Sequence, residues 1–145
     1  MKCQQGYTLI ELMLIGTVLS ILGVIALATY LNYSVRAQVA EGLALMPELR
    51  TAVEEYYLQY GVWPSDNNRA GLGNPTDYVG NWVEGISVSK DGNDGFITID
   101  YGLVKLGGND KLSFKGIATN GSFSWECDTT RPNSVDVIYL PGECR

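Results

Sequence analysis

The clearest pattern in the chain is a change of hydrophobic period along its length. From Leu12 to Leu31, 20 residues, there is no charged side chain. A helix of that length spans roughly 30 Å, the hydrocarbon thickness of a bilayer. Lys2 lies before the run and Arg36 is the first basic residue after it. That flank places the N-terminus on the cytoplasmic side. Beyond it, Val39, Met46, Leu49, Val53, Tyr56 and Tyr60 recur at spacings of seven, three, four, three and four, which predicts a continuing helix with one narrow apolar seam. Pro47 should bend it, and Gly61 with Trp63-Pro64 should end it.

From Ser65 to Val79 the residues turn to Asn, Asp, Gly and Pro, the composition of a connecting loop. Four alternating runs follow: Val83 to Ser89, Phe96 to Leu103, Lys111 to Thr119 and Ser122 to Cys127. Each reads as a half-buried strand. Asp91-Gly92-Asn93-Asp94-Gly95 joins the first two as a hairpin loop, and Asn120-Gly121 joins the last two as a tight turn. The predicted class is α+β, with a long N-terminal helix packed on a four-stranded antiparallel sheet.

Composition narrows the function. At 145 residues the chain has room for one domain with a real core. The mean hydropathy of +0.01 averages an apolar N-terminus with an otherwise polar chain. A net charge of −6 argues against a general grip on nucleic acid. Lys105, Lys111 and Lys115 could still form a local basic patch, should they share a face. There is no histidine, no Gly-rich phosphate loop and no evident carboxylate pair in a cleft, so neither an enzyme nor a bound cofactor is expected. Asp91, Asn93 and Gly95 resemble the start of a calcium loop, but no Glu follows at the required distance. Asn120-Gly121-Ser122 matches a glycosylation sequon, yet a turn explains the same residues.

Glu11 carries the chemistry of the apolar run. A carboxylate near the membrane interior costs about 2.5–3.5 kcal/mol and calls for a partner. A plain membrane anchor leaves it unexplained. A secretory signal peptide would have a shorter apolar stretch and a small-residue cleavage site after it.

Gly6-Tyr7-Thr8-Leu9-Ile10-Glu11-Leu12-Met13 resembles the processing motif of type IV prepilins. The short basic leader Met1-Lys2-Cys3-Gln4-Gln5-Gly6 is similar to that of the type IVa branch. The resemblance continues in Thr51 to Leu58 followed by Gly61-Val62-Trp63-Pro64, and in Trp125-Glu126-Cys127 and Tyr139 to Arg145. It implies cleavage between Gly6 and Tyr7 by a dedicated membrane peptidase, N-methylation of Tyr7, and a role for Glu11 in subunit incorporation. The freed amine of Tyr7 would lie one turn from a carboxylate and could pair with Glu11 of a neighbouring chain. Cleavage would also remove Cys3, leaving Cys127 and Cys144 as an even pair suited to an oxidising compartment. In the family such a pair bounds a C-terminal disulfide loop.

The implied organisation is a leader over 1–6, a transmembrane and assembly helix over 7–34, and a globular head over 35–145. The implied role is the major subunit of a type IVa pilus, held in the inner membrane and then polymerised by assembly machinery into an extracellular filament for twitching motility, adhesion and DNA uptake. A minor pilin acting as an adhesin or DNA-binding module and a type II secretion pseudopilin stand as alternatives. Two positions depart from the family: Tyr7 where Phe is usual, and Ala28 where a proline is usual. Without that proline the helix is expected to stay unbroken.

Overall fold

A computed structural model describes residues 6–103, 107–119 and 121–144, excluding the side chain of Ala28. Cys3 and the rest of the leader before Gly6, Lys105, Asn120 and Arg145 lie outside the described residues. The structure divides into one unit ending at Ser34 and a second from Val35 onward.

One helix, α1 (Leu9–Tyr60, 52 residues), runs through both units, continuous at position 28 and through Pro47. Over its first part the apolar side chains are uncovered: Leu12, Leu19 and Ile25 all stay more than half exposed. Gly61 ends the helix as expected. It adopts φ +69°, a conformation open mainly to glycine, and its N–H donates to the Tyr57 carbonyl at 2.8 Å.

In the second unit, four strands form one antiparallel sheet in the order β1-β2-β3-β4: β1 (Val83–Asp91), β2 (Asp94–Tyr101), β3 (Lys111–Thr119) and β4 (Ser122–Asp128). The first hairpin is tighter than the sequence suggests. Asp91 pairs with Asp94, so the turn is only Gly92-Asn93, with Gly92 at φ +58°. As a result β2 starts two residues before Phe96. It also stops two residues before Leu103, because the Gly102 N–H turns away to the Trp82 carbonyl at 3.0 Å.

The inner face of the sheet meets the helix. Val35, Val39, Met46, Leu49 and Val53 are buried against Ile86, Ile97, Ile99 and Leu112. Each such side chain contributes about 1.5–3 kcal/mol on burial. The seam departs from its predicted course at both ends. It starts earlier, at Val35, and leaves the expected line after Val53. Tyr56 is only half-buried and Tyr60 is 58% exposed. Tyr57 turns inward instead, its ring 4.5 Å from that of Trp63 and 5.7 Å from that of Phe123. The chain folds back after Gly61 and delivers Trp63 to that side of the helix, so the adjacent tyrosine finds the better packing. Trp63 in turn lies where side chains at Gly95 and Gly116 would be.

Polar ties fix the loops to this frame. The buried amide of Asn67 behaves like a piece of strand along the edge of β1. It donates to the Ile86 carbonyl at 2.9 Å and accepts from the Val88 N–H at 2.6 Å, satisfying groups that an edge strand leaves open. Glu41 accepts from the backbone N–H groups of Asn81 at 2.8 Å and Trp82 at 2.9 Å. The Tyr101 hydroxyl donates to the Val39 carbonyl at 2.7 Å. Burial, aided by the nearby Glu41 charge, pushes this phenol far above its usual range, so it stays a donor.

That hydroxyl fits because position 42 is glycine: a Cβ there would meet the Tyr101 ring and Ile99. Gly42→Ala should therefore destabilise the head by about 1–3 kcal/mol through overpacking, read as a lower denaturant midpoint. In a Gly42→Ala/Tyr101→Phe double variant, removing the hydroxyl relieves part of the clash. The combined loss should then be smaller than the sum of the single losses.

Candidate functional site

The candidate site is the start of α1. Gly6 and Tyr7 precede the first helical residue, and Tyr7 is 80% exposed. The bond between them thus lies outside regular structure. Thr8 is the residue before the helix and Glu11 its third position. The Glu11 carboxylate reaches back to Thr8, accepting from its N–H at 2.9 Å and from its hydroxyl at 2.7 Å, both on Oε2. The Thr8 carbonyl meanwhile accepts from the Leu12 N–H at 3.2 Å.

This is half of a capping box: an acidic side chain at the third position closes on the N-terminal cap. The negative charge also sits at the positive end of the helix dipole. Thr8-Leu9-Ile10-Glu11 carries the corresponding Thr-x-x-Glu signature, so Thr8 is a partner readable from spacing alone, where charge complementarity points only to an amine. Among the described residues, Oε1 of Glu11 accepts no hydrogen bond and stands open to a further donor. Tyr7, just before the helix, and Ile10, Glu11, Leu14 and Ile15 on it line a shallow apolar depression around the carboxylate.

The other predicted site residues lie in the head. Cys127 and Cys144 form a disulfide with Cα atoms 5.3 Å apart. It ties the end of β4 to the short turn Gly142–Cys144. Buried Val135 and Leu140 anchor the segment between them.

Lys111 and Lys115 do share the outer face of β3, but they do not make a basic patch. Lys111 Nζ is 2.7 Å from Asp100 and Lys115 Nζ is 2.7 Å from Asp94. Those carboxylates, by hydrogen bonding first and charge second, raise the pKa of both ammonium groups. Asp91, the first residue of the supposed calcium loop, pairs with Arg131 at 3.1 Å. Arg131 also lies over the Phe96 ring, 3.8 Å from its centroid, and 3.9 Å from Asp128. The outer face is a lattice of opposed charges.

Comparison with known proteins agrees with this architecture. A family profile described as pilin, a bacterial filament protein, matches residues 35–145. The fimbrial protein EcpC of Eikenella corrodens is 41% identical, the alignment covering 99% of this chain and 92% of that protein. A type IV major pilin protein PilE1 of Neisseria gonorrhoeae is 36% identical over 98% of this chain and 74% of its own length. A fimbrial protein of Pseudomonas aeruginosa is 29% identical over 99% of this chain and 98% of its own.

The outer-face lattice generates a pH prediction. The Thr130 hydroxyl, donating to Asp128 at 2.6 Å, is the main cause holding that carboxyl below its usual range. The Thr130 N–H and the charges of Arg131 and Lys115 add to it, while partial desolvation works in the opposite direction. Since the folded pKa is below the unfolded value of about 3.9, the stabilisation is fully present above that value and is lost as pH falls through the folded pKa. Asp128→Asn should be less stable than wild type near neutrality. The gap in denaturant midpoint should close on acidification below about pH 4.

Proposed function

The chain belongs to the pilin family, and on that premise we propose that it is the major structural subunit of a type IVa pilus. It is made with a leader that is cut between Gly6 and Tyr7, and the new N-terminal residue is N-methylated. Until assembly it is held in the inner membrane by the charge-free run; assembly machinery there then builds it into an extracellular filament. The filament serves twitching motility, adhesion and DNA uptake, and its principal partner is a second copy of the same chain.

One observation carries this reading: among the described residues of the helix from Leu9 to Leu31, the large apolar side chains stay about half or more exposed. In water such a surface is unstable, and in lipid or among copies of itself it is not. Glu11 gives that association a register. Its Thr8 bonds leave one oxygen open, which the Tyr7 amine of a neighbour can fill. Two charges that are costly alone are then satisfied between subunits. The names of the relatives, fimbrial protein and type IV major pilin, support the same role. The pairing of Lys111 and Lys115 with carboxylates speaks against a DNA-binding tip subunit built on these two lysines.

Mass spectrometry of filaments sheared from the producing cell tests the proposal. The dominant species should begin at N-methylated Tyr7 and carry the oxidised pair Cys127–Cys144. Glu11→Ala should still be processed but be absent from the filaments. A full-length chain beginning at Met1 and retained in the membrane, or filaments in which this chain is a trace component, would contradict it.

A further inference from the structure

Among the described residues of the unit that begins at Val35, seven large apolar side chains stay exposed, and they fall into two groups. Leu58, Tyr60 and Val62 sit at the C-terminal end of α1. The other four are held at the level where the chain enters the head. Arg36 donates through Nε and Nη2 to the Ile138 carbonyl at 3.1 and 2.8 Å. This pins the turn Val137–Tyr139, in which Val137 is 55% and Ile138 47% exposed. Glu41 holds the backbone of Asn81 and Trp82, and there Val79 is 55% and Trp82 43% exposed.

We infer that this ring of side chains is a membrane-contact surface, seating the base of the head in the headgroup zone of the bilayer while the subunit awaits assembly. The inference rests on the membrane-anchored subunit proposed above. Three observations carry it. First, Arg36 is the first charged residue after Glu11, so the Arg36-tethered turn lies where the charge-free run ends. Second, Arg36 and Glu41 are five positions apart, about 7.5 Å of helical rise, comparable with the thickness of one headgroup layer. Third, those two anchors project about 140° apart around the helix axis. A partner lying along one side of the helix would cover one pair of apolar residues and miss the other; a plane crossing the helix meets both. Tryptophan and arginine are also side chains that favour a lipid–water boundary.

The test uses the full chain in vesicles of phosphatidylethanolamine and phosphatidylglycerol, with and without phospholipid brominated near the headgroup end of its acyl chains. Bromine quenches tryptophan at short range. Trp63 is buried, and Trp125 is bonded to Glu54, which is 13 residues and about 20 Å of helix beyond Glu41. Brominated lipid should therefore quench the wild-type chain, and the quenching should fall several-fold in Trp82→Phe. Unchanged emission from Trp63 and Trp125 in that variant, in plain vesicles, shows that its fold is intact.

Equal quenching in both proteins, or none in wild type, would overturn the inference. So would a Trp82 signal that is shielded from aqueous acrylamide only at high protein-to-lipid ratio, since that assigns the surface to a second copy. Alkaline extraction separates the two levels of the argument. A chain that stays in the vesicles with Trp82 unquenched defeats this inference alone, whereas a chain that is extracted defeats the membrane-anchor reading itself.

Discussion

The head exists because one stripe of α1 is drier than the rest. Val35, Val39, Met46, Leu49 and Val53 lie on one side of the helix and are covered by Ile86, Ile97, Ile99 and Leu112 from the inner face of the sheet. Each of these buried side chains contributes about 1.5–3 kcal/mol. The polar ties then select how they meet. Tyr101 can approach the helix only at the notch left by Gly42, and Glu41 and Asn67 hold backbone that would otherwise be unpaired. The disulfide secures the C-terminal segment to β4, far along the chain from the helix that it helps to enclose.

The seam also explains what is left uncovered. A four-stranded sheet with strands of seven to nine residues can screen only part of a 52-residue helix. The turns before Val35 are as apolar as a protein interior and carry a single charge, Glu11, at their start. In lipid this is a stable arrangement if the carboxylate keeps its bonds to Thr8, and among neighbouring helices it is stable if the carboxylate finds an amine. Under the proposed function the same helix meets two environments in turn, with Glu11 distinguishing them.

Much of this was legible in the amino-acid sequence because it rests on local pattern. The charge-free run, the end of the helix at Gly61, the span of β3 and the sheet's antiparallel order follow from periodicity and turn residues. What was not legible depends on which residues meet across the fold. Tyr56 and Tyr57 are adjacent tyrosines, and a heptad count favours the first; Trp63 returning from the turn selects the second. Lys111 and Lys115 look like a basic pair until strand register sets Asp100 opposite one and Asp94 beside the other. Asn67 looks like loop composition, and only its position on the edge of β1 shows why an amide is buried there. Thr8 differs from these. Its capping spacing to Glu11 was present in the sequence all along.

Under the proposed function, the apolar run beginning after Glu11 is covered by copies of itself in the assembled state. A nitroxide attached at Val18→Cys, in the middle of that run, tests it through spin–spin interaction. In intact filaments the spectrum should show strong intermolecular broadening that disappears when labelled subunits are diluted with unlabelled ones. In vesicles at low protein density it should be narrow throughout. A filament spectrum identical to the dilute vesicle spectrum would mean that the helices do not pack together, and the account would fail.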